Sequence, residues 1–172
     1  MIKESTYHPE WIALILLEQL KINGLEFIFK GGTALLLATK KPKRFSIDID
    51  IITEQIQSDI DPILDTMCSK TVFTHWEDDN SIEPILLDVL YTPNPYPELT
   101  EIPIAHDWIQ TEGEIIQVMM PTFDAILGDK LTAFAPKTTG ILYSKGRPVE
   151  IIKQLFDVAF LMENISDLTV VR

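Results

Sequence analysis

Two aspartates, Asp48 and Asp50, alternate with isoleucines in the stretch from Ile47 to Ile52, and their spacing gives the clearest indication of chemistry. Residues two apart in a β-strand project from the same face, so both carboxylates are predicted to point to one place. Like charges held together repel, and a divalent cation that prefers hard oxygen ligands, Mg²⁺ or Mn²⁺, removes that cost. The alternative is a strand with one solvated face, on which both aspartates are simply hydrated.

A pair of glycines, Gly31 and Gly32, separates a strand predicted over Leu25 to Phe29 from a helix predicted over Thr33 to Thr39. Glycines let a ligand approach the backbone closely, and free N–H groups at a helix start bind phosphate. The Thr33 hydroxyl either adds one donor to that site or caps its own helix. Followed by two carboxylates on one strand face, this turn predicts a site that binds a triphosphate together with its metal.

A third carboxylate, Asp88, lies inside an apolar strand predicted over Ile82 to Tyr91. Burying a lone carboxylate is costly unless it is paired or bound to a metal. If this strand lies beside the strand of Asp48 and Asp50, Asp88 is placed to act as general base on an attacking hydroxyl and to contact a second metal. On an edge strand, Asp88 would instead face water.

The order of the predicted elements indicates an α/β (α+β) fold, a small mixed sheet flanked by helices with a helical C-terminal part. Residues 1–120 are predicted to form the sheet-containing core, and residues 121–172 to pack on it as part of one compact unit. Four further helices are predicted: from Pro9 to Asn23, around Pro62 to near Ser69, from Pro121 to Ala135, and from Pro148 onward. A further strand is predicted over Val72 to Glu77, and a hairpin is predicted to join 108–109 to 115–119. A loop predicted over Thr92 to Pro103 is the best candidate for an internal boundary.

The composition is that of an ordinary globular chain of 172 residues with 46% apolar residues. Its 14 basic and 26 acidic residues give a net charge of −12, which argues against general affinity for nucleic acid. One cysteine, Cys68, excludes an intrachain disulfide framework. The longest apolar run, Ile12 to Leu17, is too short to span a bilayer, and the N-terminus lacks the features of a signal peptide. We therefore expect a cytoplasmic protein that does not enter a membrane.

Two motifs together resemble a known family. Lys30-Gly31-Gly32-Thr33, followed by Arg44-Phe45-Ser46-Ile47-Asp48-Ile49-Asp50, is similar to the AbiEii/AbiGii-type toxin family of the DNA polymerase β-like nucleotidyltransferase superfamily. Asp129-Lys130, with a later Lys137, matches a further family motif. The stretch from Lys153 to Val158 matches the family pattern Lys-Asp-x-x-Asp-Leu in part, with Gln154 in place of the first aspartate.

The resemblance implies that residues 1–120 are a nucleotidyltransferase core, which moves a nucleoside monophosphate from a nucleoside triphosphate to an acceptor hydroxyl and releases pyrophosphate. Asp48 and Asp50, with Asp88, would hold Mg²⁺ or Mn²⁺, and Lys130 would neutralise the triphosphate. Lys153 and Asp157 would complete the site or brace it. The phosphates would be bound by Gly31, Gly32 and Thr33, with Ser46 and Arg44 beside them.

The resemblance also implies a toxin role, with a tRNA end or another RNA as acceptor and a cognate antitoxin as partner. Two other functions stay open. One is a non-catalytic nucleotide-binding or interaction domain, which Gln154 and the short C-terminal part favour. The other is a small-molecule nucleotidyltransferase similar to the aminoglycoside-modifying enzymes, for which an acidic cleft would suit a cationic acceptor.

Overall fold

The computed structural model describes residues 9–41, 44–69, 85–107, 109, 111–135, 137, 140–142, 144 and 146–171, with the backbone alone for 9–11 and 67–69. The described residues form five helices and five strands. In chain order these are α1 (Pro9–Ile22), β1 (Ile28–Lys30), α2 (Gly31–Ala38), β2 (Ile49–Thr53), α3 (Gln57–Ser69), β3 (Leu87–Tyr91), β4 (Leu99–Pro103), β5 (Gln117–Pro121), α4 (Phe123–Thr132) and α5 (Pro148–Asn164). None of the helices in these described ranges has the length and apolar character needed to cross a membrane.

The five strands form one mixed sheet in the order β3-β2-β1-β5-β4. The three-residue strand β1 lies at its centre, antiparallel to β2 and parallel to β5. Strand β2 pairs in parallel with β3, and β4 pairs antiparallel with β5. The predicted α+β fold with a small mixed sheet is therefore confirmed.

The two faces of the sheet differ in character because side chains alternate along each strand. One face carries Phe29, Ile51 and Met120, which are fully buried in the hydrophobic core together with Leu14 and Leu17 of α1. Burial on this scale is the main stabilising contribution to such a fold. The core also includes Ile126 and Leu127 of α4 and Leu161 of α5.

The opposite face, which we call the open face, carries the charged residues of the sheet. Lys30 is the register partner of Asp50, and Asp50 is the register partner of Asp88, so all three side chains project from this face. Two residues further along the same strands, Ile52 and Leu90 project from it as well. Along β2 and β3 the open face therefore has a charged end and an apolar end.

Several element boundaries differ from the sequence predictions. The predicted loop over Thr92 to Pro103 contains strand β4, and this strand belongs to the same sheet as β1, so this loop is not a boundary between separate units. The predicted pairing of Ile109 with 115–119 was wrong, because β5 pairs with β4 and β1, and Trp108 lies outside the described residues. Pro121 ends β5 rather than opening a helix, and α4 begins at Phe123, where the Thr122 hydroxyl accepts a hydrogen bond from the Ala125 N–H at 3.4 Å.

Other boundaries agree with the predictions. Helix α5 begins at Pro148, where proline is pre-organised for a first turn, and α3 contains Pro62 and ends at Ser69. The predicted strand over Val72 to Glu77 and residues 82–84 of the next predicted strand lie outside the described residues.

Candidate active site

A cavity of about 350 Å³ opens at the charged end of the open face, and we call it the Asp50 cavity. Among the described residues, it is lined by four basic side chains, Lys30, Arg44, Lys130 and Lys153. It is also lined by four acidic side chains, Asp48, Asp50, Asp129 and Glu150. In a chain with a net charge of −12, this local balance of charges makes the cavity far better suited to a phosphorylated ligand than the average surface.

Helix α2 starts directly after β1, and its first residue, Gly31, has a φ of +82°. A Cβ atom on Gly31 would overlap the Asp50 carboxylate, so the absence of a side chain allows this carboxylate to lie against the helix start. A Cβ atom on Gly32 would likewise meet Arg44 and the Ser46 Oγ. The absence of side chains at these glycines thus makes room for side chains of the protein itself, whereas the close approach of a ligand to their backbone stays a prediction.

Thr33 has a different partner from the phosphate that we predicted. Its side chain is fully buried, and its hydroxyl donates a hydrogen bond of 2.6 Å to the backbone carbonyl of Asp48. A hydroxyl has one proton to donate, so while this hydrogen bond is formed the Thr33 hydroxyl does not donate to phosphate. Thr33 instead fixes the backbone that carries Asp48 into the cavity.

Asp48 and Asp50 both line the Asp50 cavity. Burial raises the pKa of Asp50 above its ordinary value of 3.8; the positive charges of Lys30 and Lys130 lower it, and the negative charges of Asp88 and Asp48 raise it again. The ionised form of Asp50 is therefore incompletely compensated by the protein, and a bound cation would supply the missing compensation.

Asp88 lies beside Asp50 because β3 pairs with β2, which is the neighbouring position that its predicted role needs. It does not line the Asp50 cavity. Within the described residues β3 is an edge strand, and Asp88 is exposed on it. The part of the chain that the structure describes contains no group of three His, Cys, Asp or Glu residues arranged to hold a metal ion. Asp48 and Asp50 alone fit Mg²⁺ chemically, because this ion is commonly bound by one or two carboxylates together with substrate phosphates and water.

Asp157 pairs with two of the cations of the site. Its carboxylate accepts hydrogen bonds of 2.7 Å from both Nε and Nη2 of Arg44, and Lys130 Nζ lies 3.0 Å from its Oδ2. Burial raises the pKa of Asp157, but the hydrogen bond from Arg44 and the charges of Lys130 and Arg44 outweigh burial and hold it below its ordinary value. Asp157 therefore braces Arg44 and Lys130, and we assign it no contact with phosphate.

Five lining residues were not among the predicted site residues. They are Lys30, Asp129, Ala133, Glu150 and Gln154. The alternation in β1 offered a signal for Lys30, since pairing with β2 places it on the face of Asp50. Lys153 and Gln154 follow Glu150 by three and four residues along α5, a spacing that brings side chains to one side of a helix. The Gln154 Oε1 is buried without a hydrogen-bond partner among the described residues.

The site as a whole joins an uncapped helix start, a pair of aspartates and a set of braced cations. This combination is suited to a phosphorylated ligand bound together with a divalent cation.

The family comparison identifies the class of protein. A family model described as "Nucleotidyl transferase AbiEii toxin, Type IV TA system" matches residues 15–79 and 68–172, which together span most of the chain. The chain belongs to this family of nucleotidyltransferase toxins from toxin–antitoxin systems. Searches of curated proteins and of solved structures returned no match.

Proposed function

We propose that this protein is a metal-dependent nucleotidyltransferase that transfers a nucleoside monophosphate from a nucleoside triphosphate to an acceptor hydroxyl. The observation that carries the proposal is the convergence of Asp48, Asp50 and four basic side chains on one cavity at the start of α2. Family membership supports the reaction class.

Each part of the Asp50 cavity has a role in this reaction. The N–H groups at the start of α2 and the side chains of Lys130 and Lys153 bind and orient the triphosphate. Arg44 and Lys130 keep their positions because Asp157 binds both of them. Asp48 and Asp50 would hold Mg²⁺, which would neutralise charge on the α-phosphate that is transferred.

The transfer itself requires positioning and one proton acceptor. The acceptor oxygen forms a bond to the α-phosphorus while the bond from this phosphorus to the bridging oxygen breaks, and pyrophosphate leaves. Asp88, beside Asp50 on the neighbouring strand, accepts the proton of the acceptor hydroxyl. The role of Asp88 depends on the acceptor reaching the exposed edge of the sheet.

Nucleotide binding and turnover test the proposal directly. Calorimetric titration with each of the four NTPs, with and without Mg²⁺, should show binding that requires the metal. The Asp48→Asn variant should lose this binding and keep its fold, as judged by circular dichroism. The control is Asp107→Asn, which alters an exposed aspartate outside the cavity and should bind like the wild type. Metal-independent binding, or unchanged binding in Asp48→Asn, would contradict the proposal.

The acceptor and the partner are proposed from the family assignment. We propose an RNA 3′ end, such as that of tRNA, as acceptor and a cognate antitoxin protein as partner. Incubation of the protein with α-³²P-labelled NTPs and total cellular RNA and protein should label an RNA and release pyrophosphate. If the label appeared only in protein, or in an added aminoglycoside, the acceptor would be a protein or a small molecule and the proposed RNA acceptor would be wrong.

Nucleotide binding without turnover is the competing function, and Gln154 favours it. This residue lines the cavity where the family pattern has an aspartate, which removes one negative charge from α5. Metal-dependent NTP binding without pyrophosphate release in the presence of any acceptor would establish the binding function, and recovery of turnover in Gln154→Asp would assign its cause to Gln154.

A further inference from the structure

A second cavity of about 360 Å³ lies on the apolar end of the open face, and we call it the Tyr96 cavity. Ile52 and Leu90 line it from the sheet, and Tyr96 lines it from the loop between β3 and β4, with Pro95 and Pro97 on either side in sequence. A volume of this size, with apolar walls and few polar groups, is typical of a site for a small ligand or for part of a larger one.

The Tyr96 cavity adjoins the Asp50 cavity, because Lys30 and Asp129 line both. Ile52 follows Asp50 by two residues in β2, and Leu90 follows Asp88 by two residues in β3, all on the same face. Asp50 and Asp88 therefore adjoin this apolar pair on the side of the Asp50 cavity, although neither of them lines the Tyr96 cavity itself.

The two cavities differ in charge. Three of the four basic side chains of the Asp50 cavity, Arg44, Lys130 and Lys153, do not line the Tyr96 cavity. The charged side chains that do line it are Lys30 and Asp129, which lie 3.9 Å apart and offset each other. The Tyr96 cavity is therefore suited to an uncharged group, whereas phosphates are bound more favourably in the Asp50 cavity.

One hydrogen bond holds the side chain of Tyr96 and another holds its backbone. Its hydroxyl donates a hydrogen bond of 3.1 Å to Asp129 Oδ2, and its backbone N–H donates one of 2.9 Å to Asn94 Oδ1. Burial raises the pKa of the Tyr96 phenol, and the charge of Asp129, the hydrogen bond to it and the charge of Asp50 raise it further. The phenol stays protonated, and the ring is a fixed, neutral surface of the kind on which planar rings stack.

We propose that the Tyr96 cavity is the acceptor subsite and binds the uncharged planar ring of a terminal nucleoside, whose ribose hydroxyl is presented to the Asp50–Asp88 pair. This inference rests on the proposed nucleotidyltransferase function. In-line displacement places the attacking oxygen and the leaving pyrophosphate on opposite sides of the α-phosphorus. Since the cations hold the triphosphate in the Asp50 cavity, the acceptor approaches from the other cavity.

The test uses the full chain saturated with Mg²⁺ and a non-hydrolysable NTP analogue, titrated with the tetranucleotide r(AAAA) as probe. Tyr96→Ala removes the stacking surface and should weaken probe binding roughly 10- to 100-fold, in line with the loss expected for one stacked base. Leu90→Trp fills the cavity from an exposed position of β3 and should weaken it similarly. The matched control is Tyr91→Ala, which removes an exposed tyrosine that does not line the cavity and should leave the affinity unchanged.

The affinity for the Mg²⁺–NTP analogue is measured first for every variant, and it separates the two proposals. Absence of metal-dependent analogue binding in the wild type would refute the proposed function, and the subsite with it. Normal analogue binding with a probe affinity that is the same in wild type, Tyr96→Ala and Leu90→Trp would refute the subsite alone. An equal loss of analogue and probe affinity in Tyr96→Ala would assign the cavity to the base of the NTP and overturn the acceptor assignment.

Discussion

At the first residue of α2, the backbone conformation and the position of a neighbouring carboxylate both require glycine. Gly31 has a φ of +82°, and a Cβ there would overlap Asp50. We expect Gly31→Ala to lose about 1–2 kcal/mol of stability through backbone strain and more through displacement of Asp50. NTP binding should also be lost, which calorimetric titration and urea unfolding will measure together.

Gly113 provides the matched control for this substitution. It has a φ of +81°, and a Cβ on it would meet no atom within 4 Å. Gly113→Ala should therefore show the strain of about 1–2 kcal/mol without any effect on NTP binding. If Gly31→Ala and Gly113→Ala had the same NTP affinity and the same stability, the close approach of Asp50 to Gly31 would not be needed for NTP binding.

Asp50 gives a prediction for the dependence of stability on pH. Its folded-state pKa is raised above 3.8, mainly by burial, so the folded chain binds a proton at Asp50 more tightly than the unfolded chain does. Stability therefore falls as pH rises from 3.8 through the folded-state pKa, and the full cost is present above that pKa. Asp50→Asn should raise the free energy of unfolding of the metal-free protein at pH 7, with a gain that disappears in acid.

Urea unfolding across the acid and neutral range checks this sign. Glu98→Gln, at an exposed carboxylate outside both cavities, should show no comparable pH-dependent gain. Addition of Mg²⁺ and NTP should make the wild type more stable than Asp50→Asn. Only the wild type is expected to bind this ligand, and binding stabilises the folded state. A neutral-pH loss of stability in metal-free Asp50→Asn would show that the carboxylate is already compensated by the protein.

Among the helices, α4 and α5 are joined to the segment before β2 by the buried carboxylate of Asp157. Removing one partner of such a buried group leaves the cations uncompensated, so Asp157→Ala should cost about 3–5 kcal/mol. The exposed pair Lys21–Glu26, 2.8 Å apart, provides the comparison: Glu26→Gln should cost less than about 1 kcal/mol. Equal costs in thermal unfolding would mean that the Asp157 cluster does not link these elements.

The element boundaries show what the sequence could and could not predict. Local signals were sufficient where one residue determines the backbone, as at Pro148, which begins α5, and at the glycines that follow β1. Pro121 was misread because a proline can end a strand as readily as it can open a helix, and the pairing of β5 with β4 decides between them. That pairing involves residues far enough apart in sequence that periodicity carries no information about it.

The site was predictable to a similar extent. The alternation in β2 and the motif after β1 indicated Asp48, Asp50 and the glycines, all of which line the cavity. The bonding of Thr33 to Asp48 and of Asp157 to Arg44 depends on tertiary contacts between distant segments. Tyr96 lies in a proline-rich loop without periodicity, so its place beside Asp129 had no sequence signal. The predicted roles in binding metal and phosphate stay predictions.

For the molecule as a whole, the net charge of −12 sets the response to salt. Like charges on a compact chain repel, and this repulsion is screened as the Debye length falls from about 30 Å at 0.01 M to about 8 Å at 0.15 M salt. We expect the melting temperature to rise with NaCl over this range. The double variant Glu54→Lys/Glu98→Lys, which alters two exposed acids and brings the net charge to −8, should respond less. A melting temperature that falls with NaCl would show that local ion pairs outweigh the overall repulsion.

The ion pair between Arg44 and Asp157 joins residues 113 positions apart, and the central strand β1 is completed by Met119 of β5. A ribosome synthesises residues 30–50 long before these partners exist, and domains complete their folding only after the necessary chain has emerged. A nascent chain therefore carries the glycines and aspartates without the braced arginine and lysine. We therefore expect the nascent chain to lack nucleotidyltransferase activity until α5 has been synthesised.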